Sequence, residues 1–189
     1  MLLALVVVML PLVTVSRRGL ADGVSVPAEL QVELLSKLST YDRSFASRAG
    51  DVARILIVTK PKSAQSDLFA RMMKGALSQL ERFGGLPHTE VIAPYESATA
   101  LAARCRSERI AVVYVTPGFG DDVEAVRTAL DGVDVLTVAA LPEYVPSGIV
   151  LGFELLSGKP KMLINYEQAK RQNVSFAADV LKLMKVVSR

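Results

Sequence analysis

Tryptophan is absent from this chain, and cysteine and histidine occur once each, as Cys105 and His88. A lone cysteine cannot close an intrachain disulfide, and it leaves no basis for a cysteine-rich metal site. It also lies far from the N-terminus, which excludes the acylated lipoproteins that need a cysteine directly after the leader. Cys105 reads instead as a small buried hydrophobe, beside Ala98 and Leu101 on one face of a short helix. His88 follows Pro87 at the start of a strand-like run and reads as an edge or surface residue. A zinc site there would need distant carboxylates to supply every other ligand. Catalytic signatures are missing too. No Gly-x-Ser-x-Gly and no phosphate-loop Lys-Ser/Thr pair occur. The adjacent Asp121 and Asp122 point in different directions on a helix, so they suit its start better than acid–base chemistry. Charge of one sign is scarce: the formal net charge is +3. Without Arg17 and Arg18 it falls to about +1, too little for a general nucleic-acid footprint. These absences argue against an enzyme, a cofactor protein or a nucleic-acid binder.

What is present is apolar sequence, 51% of 189 residues, enough for the core of one ordinary domain. Residues 2–15 are almost entirely apolar and uncharged, too short for a bilayer span of roughly 20 residues but the length of a signal-peptide core. Gly19-Leu20-Ala21 offers small residues at the two positions a signal peptidase reads, so residues 1–21 are expected to be a signal peptide and Asp22 the mature N-terminus. Arg17 and Arg18 follow the apolar run instead of preceding it, which keeps a short uncleaved anchor open as the alternative. Residues 22–27 read as a linker, and the domain proper is expected over 28–189.

Past Pro27, Leu30, Leu34, Leu35, Leu38, Tyr41 and Phe45 recur at helical spacing, predicting one amphipathic helix over 29–45. Strand-like runs at 52–59, 88–93, 110–115 and 133–139 alternate with helical patterns at 66–83, 97–106 and from Asp121 onward. Gly84-Gly85 is expected to end the first of these helices. Four strands separated by crossover helices imply a mainly parallel sheet covered on both faces. Apolar runs at 149–156 and 161–164 flank Ser157-Gly158-Lys159-Pro160, a hairpin signal. Asn165 can cap a short helix, and a last helix is expected over 176–187 with Phe176, Val180, Leu183, Met184 and Val187 inward. The expected fold is a single three-layer α/β domain of Rossmann-like topology, ending in a β-hairpin plus helix.

Gly118-Phe119-Gly120 sits between a strand and a helix, where open α/β sheets often bind ligands. The third glycine of a dinucleotide fingerprint would fall on Val123, and Asp121 and Asp122 would oppose a phosphate. Thr116, Gly118, Phe119, Gly120 and Asp121 therefore form a candidate crevice for a small neutral or cationic molecule. Two segments are candidate partner-binding surfaces. One carries Tyr41 and Arg43 at the end of the first helix. The other is Glu143, Tyr144 and Val145, held between Pro142 and Pro146 and so expected to lose little entropy on docking.

Taken in order, Leu136-Thr137-Val138, Gly148-Ile149-Val150, Phe153, Gly158-Lys159, Ile164-Asn165, Ala169 and Leu181-Lys182-Leu183-Met184-Lys185 resemble the C-terminal pattern of the YfiR family. The resemblance is clear over about residues 98–187 and looser over 28–97. It departs at Ser147-Gly148, where the family has two glycines, and at the first helix, where the family has an aromatic-rich segment ending in Trp-Pro. The resemblance implies an exported, periplasmic protein of a Gram-negative bacterium. It also implies a regulator, one that holds the outer-facing part of an inner-membrane sensor or diguanylate cyclase and so lowers cyclic-di-GMP output and biofilm. A homodimer is a further expectation from the same resemblance. A periplasmic small-molecule binding protein is the alternative reading.

Overall fold

The computed structural model describes residues 26–187. The expected leader, and residues 22–25 of the expected linker, lie outside the described residues. The elements run α1 (Ala28–Ser39), α2 (Phe45–Ala49), β1 (Ala53–Thr59), α3 (Ala64–Leu77), β2 (His88–Pro94), α4 (Ala98–Ser107), β3 (Ile110–Val115) and α5 (Val123–Ala129). They continue with β4 (Leu136–Ala139), α6 (Tyr144–Ser147), β5 (Leu151–Leu156), β6 (Lys159–Ile164), α7 (Tyr166–Arg171), α8 (Ala178–Leu181) and β7 (Lys185–Val186).

All seven strands form one sheet in the order β2-β1-β3-β4-β5-β6-β7. The first five are parallel, β6 returns antiparallel to β5, and β7 lies parallel to β6. Alternation along β1, β3 and β4, which are covered on both faces, explains why their sequences are apolar at nearly every position. Ile55, Ile57, Tyr114 and Val138 face a layer built from α1 and α3, through Val32, Leu35, Met73 and Leu77. Leu56, Val58, Val113 and Val115 face the opposite way, onto Leu101 of α4 and Val123, Val126 and Leu130 of the α5 region. This is the three-layer α/β domain the sequence implied. Caps start the helices where the residue types allow. Ser97 accepts from the Ala100 amide at 3.1 Å and Asn165 from the Gln168 amide at 3.0 Å.

Four segments differ from the sequence reading. The segment expected as a linker ends inside the core, with Val26 buried and its carbonyl accepting from Gln31 Nε2 at 2.7 Å. The single helix expected over 29–45 breaks after Ser39 because Asp42 turns inward, and Phe45 starts a separate helix. The helix expected over 66–83 stops at Leu77, and its inward face is Ala70, Met73 and Leu77, so Leu68 and Met72 lie on the outer side, 54% and 47% exposed. Gly84 belongs instead to the turn between Phe83 and Leu86, at φ 58° and with Phe45 Cε1 in the space a Cβ would take. The last expected helix shrinks to α8, and its remainder becomes β7 at the sheet edge, with Leu183 in the turn between them.

Candidate functional site

The strand order reverses between β1 and β3, and the loops leaving their C-terminal ends meet there, the usual place for a ligand in an open α/β sheet. In this protein side chains fill it. Lys60, just after β1, is ion-paired with Asp122, just before α5, and its ammonium stands 5.8 Å from the centroids of both Tyr95 and Phe119. The Tyr95 and Phe119 rings meet edge to face at 5.1 Å. The hydrogen bond from Lys60 to Asp122 holds the lysine pKa above its ordinary value. Below this lid, the Thr116 hydroxyl donates to Val58 O at 2.7 Å, so the Ser66 hydroxyl donates to Thr116 at 2.5 Å. Both hydroxyls are buried and satisfied.

The crevice read from the sequence is therefore closed. Thr116 and Phe119 are fully buried, while Gly118, Gly120 and Asp121 remain at the surface. Two amides that could have met a ligand, those of Gly118 and Phe119, both donate to the Tyr144 hydroxyl at 3.0 Å. That bond also corrects the second expected partner patch. Tyr144 is 4% exposed and Val145 is fully buried, because residues 144–147 form a helical turn that presses them onto the α5 layer. Burial raises the Tyr144 pKa, and the two amides donating to its oxygen oppose that rise. Glu143 alone of this trio stays out of the buried set. His88, expected at an edge or surface, does open the edge strand β2, but its side chain is largely buried. Its Nε2–H donates to Leu80 O at 3.0 Å, and Nδ1 lies 3.3 Å from Glu90. Among the described residues no group of three His, Cys, Asp or Glu side chains could hold a metal ion.

The first partner patch has the opposite outcome. Tyr41 is 44% exposed and Arg43 is exposed beside it, on the corner between α1 and α2. The corner is rigid. Asp42, between them, is buried and accepts from Arg48 Nη1 at 2.8 Å, from the Ser44 amide at 3.1 Å and from the Ser175 amide at 2.9 Å. Arg48 in turn donates to Asp134 at 2.9 Å and to Asn173 O at 3.1 Å. Backbone bonds from Arg43 N to Ser175 O at 2.9 Å and from Ala177 N to Tyr41 O at 3.0 Å join the corner to residues 175–177. Next to that join lies a hollow of about 190 Å³ lined by Tyr166, Lys170, Asn173, Val174, Ser175 and Phe176. Tyr166 is 42% exposed, with the Lys170 ammonium 4.5 Å from its ring centroid. Two exposed tyrosines and two cations thus border one preorganised surface.

Sequence reasoning missed Tyr166 and Lys170 in this surface and the buried Arg48 beneath it. It also missed a second pocket of about 190 Å³, where Leu56, Val58, Ala93 and Leu101 form the base and Tyr95, Glu96, Ser97 and Arg104 lie around them. A signal for the latter existed. Pro94-Tyr95-Glu96-Ser97 leaves a parallel strand and enters a helix, as the glycine loop does one strand further on, and Ser97 caps that helix.

The YfiR/HmsC-like family matches residues 29–185. No curated protein matches the sequence. Solved structures share the fold at low identity. A conserved domain protein from Vibrio cholerae O1 biovar El Tor is 15% identical with a TM-score of 0.60, covering 89% of this chain and 62% of its own. The ABC domain from Streptococcus pneumoniae in complex with L-Trp is 14% identical with a TM-score of 0.58, covering 85% and 62%. A substrate-binding protein with adhesive properties from Clostridium difficile, in its ligand-free open form, is 13% identical with a TM-score of 0.56, covering 86% and 60%. The chain therefore spans about three fifths of the length of these structures.

Proposed function

The chain belongs to the YfiR/HmsC-like family, and on that premise we propose that it is a periplasmic regulator. It binds the outer-facing domain of an inner-membrane signalling protein, a diguanylate cyclase whose output it restrains. The observation that carries the reading beyond the family is the Tyr41–Arg43 corner. Tyrosine and arginine are the residues that most often anchor protein interfaces, and a corner already fixed by the buried Asp42–Arg48 pair loses little entropy on docking. The experiment is binding of purified protein to the outer-facing domains of the host's membrane diguanylate cyclases. Wild type is expected to bind one of them, and Tyr41→Ala to lose about 2 kcal/mol of affinity while unfolding is unchanged. Binding to none would overturn the regulatory reading. Unchanged affinity in Tyr41→Ala would move the interface elsewhere.

A second reading has its own support in the pocket between the ends of β1 and β2 and helix α4, an apolar base ringed by Glu96, Ser97 and Arg104. A small molecule carrying both charges fits those groups, and two of the structural neighbours are described as an ABC domain with bound L-Trp and as a substrate-binding protein. A ligand present at 100 times its dissociation constant adds about 2.7 kcal/mol of stability, which thermal unfolding against a metabolite panel detects.

A further inference from the structure

From the β5–β6 hairpin we infer a docking site for an anionic lipid surface. Burial fades along both strands toward their turn, so that Leu156 through Pro160 are exposed on both sides of the sheet. The turn is two residues long, with Ser157 at φ 52° and Gly158 at φ 75°, the tight geometry that holds a hairpin in one shape. Leu156, at the tip, is 59% exposed and pairs across the hairpin with Lys159, while Glu154 pairs with Lys161. β7 runs parallel to β6 with Lys185 opposite Leu163, which brings the preceding turn, Lys182-Leu183, alongside the same end of β6. Leu183 is 61% exposed.

Two bare leucines therefore stand among four lysines. Of these, Lys185 is paired with Glu154 and Lys182 with Asp179, whereas Lys159 and Lys161 have no ion pair among the described residues. The local charge is net positive, and it complements phosphate headgroups. A lipid surface fits better than an acidic protein because every cation here is a lysine, a residue that protein interfaces disfavour and membrane-surface elements favour beside leucine. A bilayer interface takes a projecting apolar tip, while lysine stems lie along it with their ammonium groups at the headgroups.

The test is co-sedimentation of the full chain with vesicles of phosphatidylglycerol and phosphatidylcholine against phosphatidylcholine alone. Residues 1–25 are common to every variant, so a difference between variants belongs to the arm. Wild type is expected to pellet with anionic vesicles, to release as salt rises, and to bind neutral vesicles far less. Each lysine near an anionic surface is worth about fivefold in partitioning, so Lys159→Ala with Lys161→Ala should lower it about twenty-fivefold. Leu156→Ser should lower it several-fold, with unfolding midpoints unchanged in both variants. The inference fails if wild type stays in the supernatant with anionic vesicles. It also fails if the double variant binds as wild type does and instead aggregates, which would make the lysines guards of an open sheet edge. None of these outcomes involves the cyclase, so they leave the regulatory reading to its own experiment.

Discussion

Tyr144 shows how far residue patterns carry and where they stop. Pro142-Glu143-Tyr144-Val145-Pro146 has the composition of a restrained recognition loop, and nothing in those five letters says which way the ring turns. It turns inward because its hydroxyl is the acceptor for two amides of the loop after β3, which would otherwise be left without a protein partner. Tyr144→Phe keeps the ring and removes that acceptor. It is expected to cost about 1–3 kcal/mol in urea unfolding, the usual penalty for partly buried donors left unsatisfied, while affinity for the proposed partner stays unchanged. A loss of affinity with no loss of stability would return Tyr144 to the interface. Cys105 was legible from its spacing alone. It is 3% exposed, and burial pushes its thiol up to about 12. Since the thiolate is the nucleophile, alkylation by iodoacetamide at pH 8 is expected only after denaturant is added.

Elements were legible where local preference and sheet packing agree. β3 matches the sequence reading at both ends, and the caps at Ser97 and Asn165 sit where the residue types demanded. The C-terminus was not, because Phe176, Val180, Leu183, Met184 and Val187 satisfy a helical period while the sheet edge offers competing bonds. Val187 N donates to Ile164 O at 2.9 Å, and the edge wins. The corner after α1 was hidden for a similar reason. Tyr41 and Phe45 continue the apolar stripe, but Asp42 has partners more than 130 residues away in sequence, at Ser175, which no local pattern reveals. This corner therefore depends on Arg48, whose side chain and that of Asp42 are 1% and 0% exposed. Arg48→Ala leaves a buried carboxylate without its counter-charge and is expected to cost about 3–5 kcal/mol in chemical denaturation. Asp134, at 45% exposure, is the solvated arm of the same network, and Asp134→Ala is expected to cost under about 1 kcal/mol. Equal costs would mean that the corner is not held by the buried pair.

On the scale of the whole molecule, a sheet buried on both faces places titratable groups in the core, and every resolved shift has the same sign. Burial raises the pKa of Tyr95, Tyr114, Tyr144 and Cys105, and the Asp122 hydrogen bond raises that of Lys60. In each case the folded state holds its proton more tightly than the unfolded chain does. The stability linked to these groups is therefore intact below their unfolded values, 9.0 for the thiol and 10.0 for the phenols, and is lost as pH climbs from there toward the folded values. Within that window each fully shifted group removes up to about 1.4 kcal/mol per pH unit. Urea unfolding from pH 8 to 11 is accordingly expected to show no loss from these groups below pH 9, then a decline that steepens above 10 as the phenols join the thiol. Cys105→Ala separates the two stages. It costs stability at every pH through its smaller side chain, but the decline between pH 9 and 10 should become shallower while the steep part above 10 persists. A midpoint that holds constant to pH 11 would show that these side chains reach solvent far more freely than a doubly covered sheet permits.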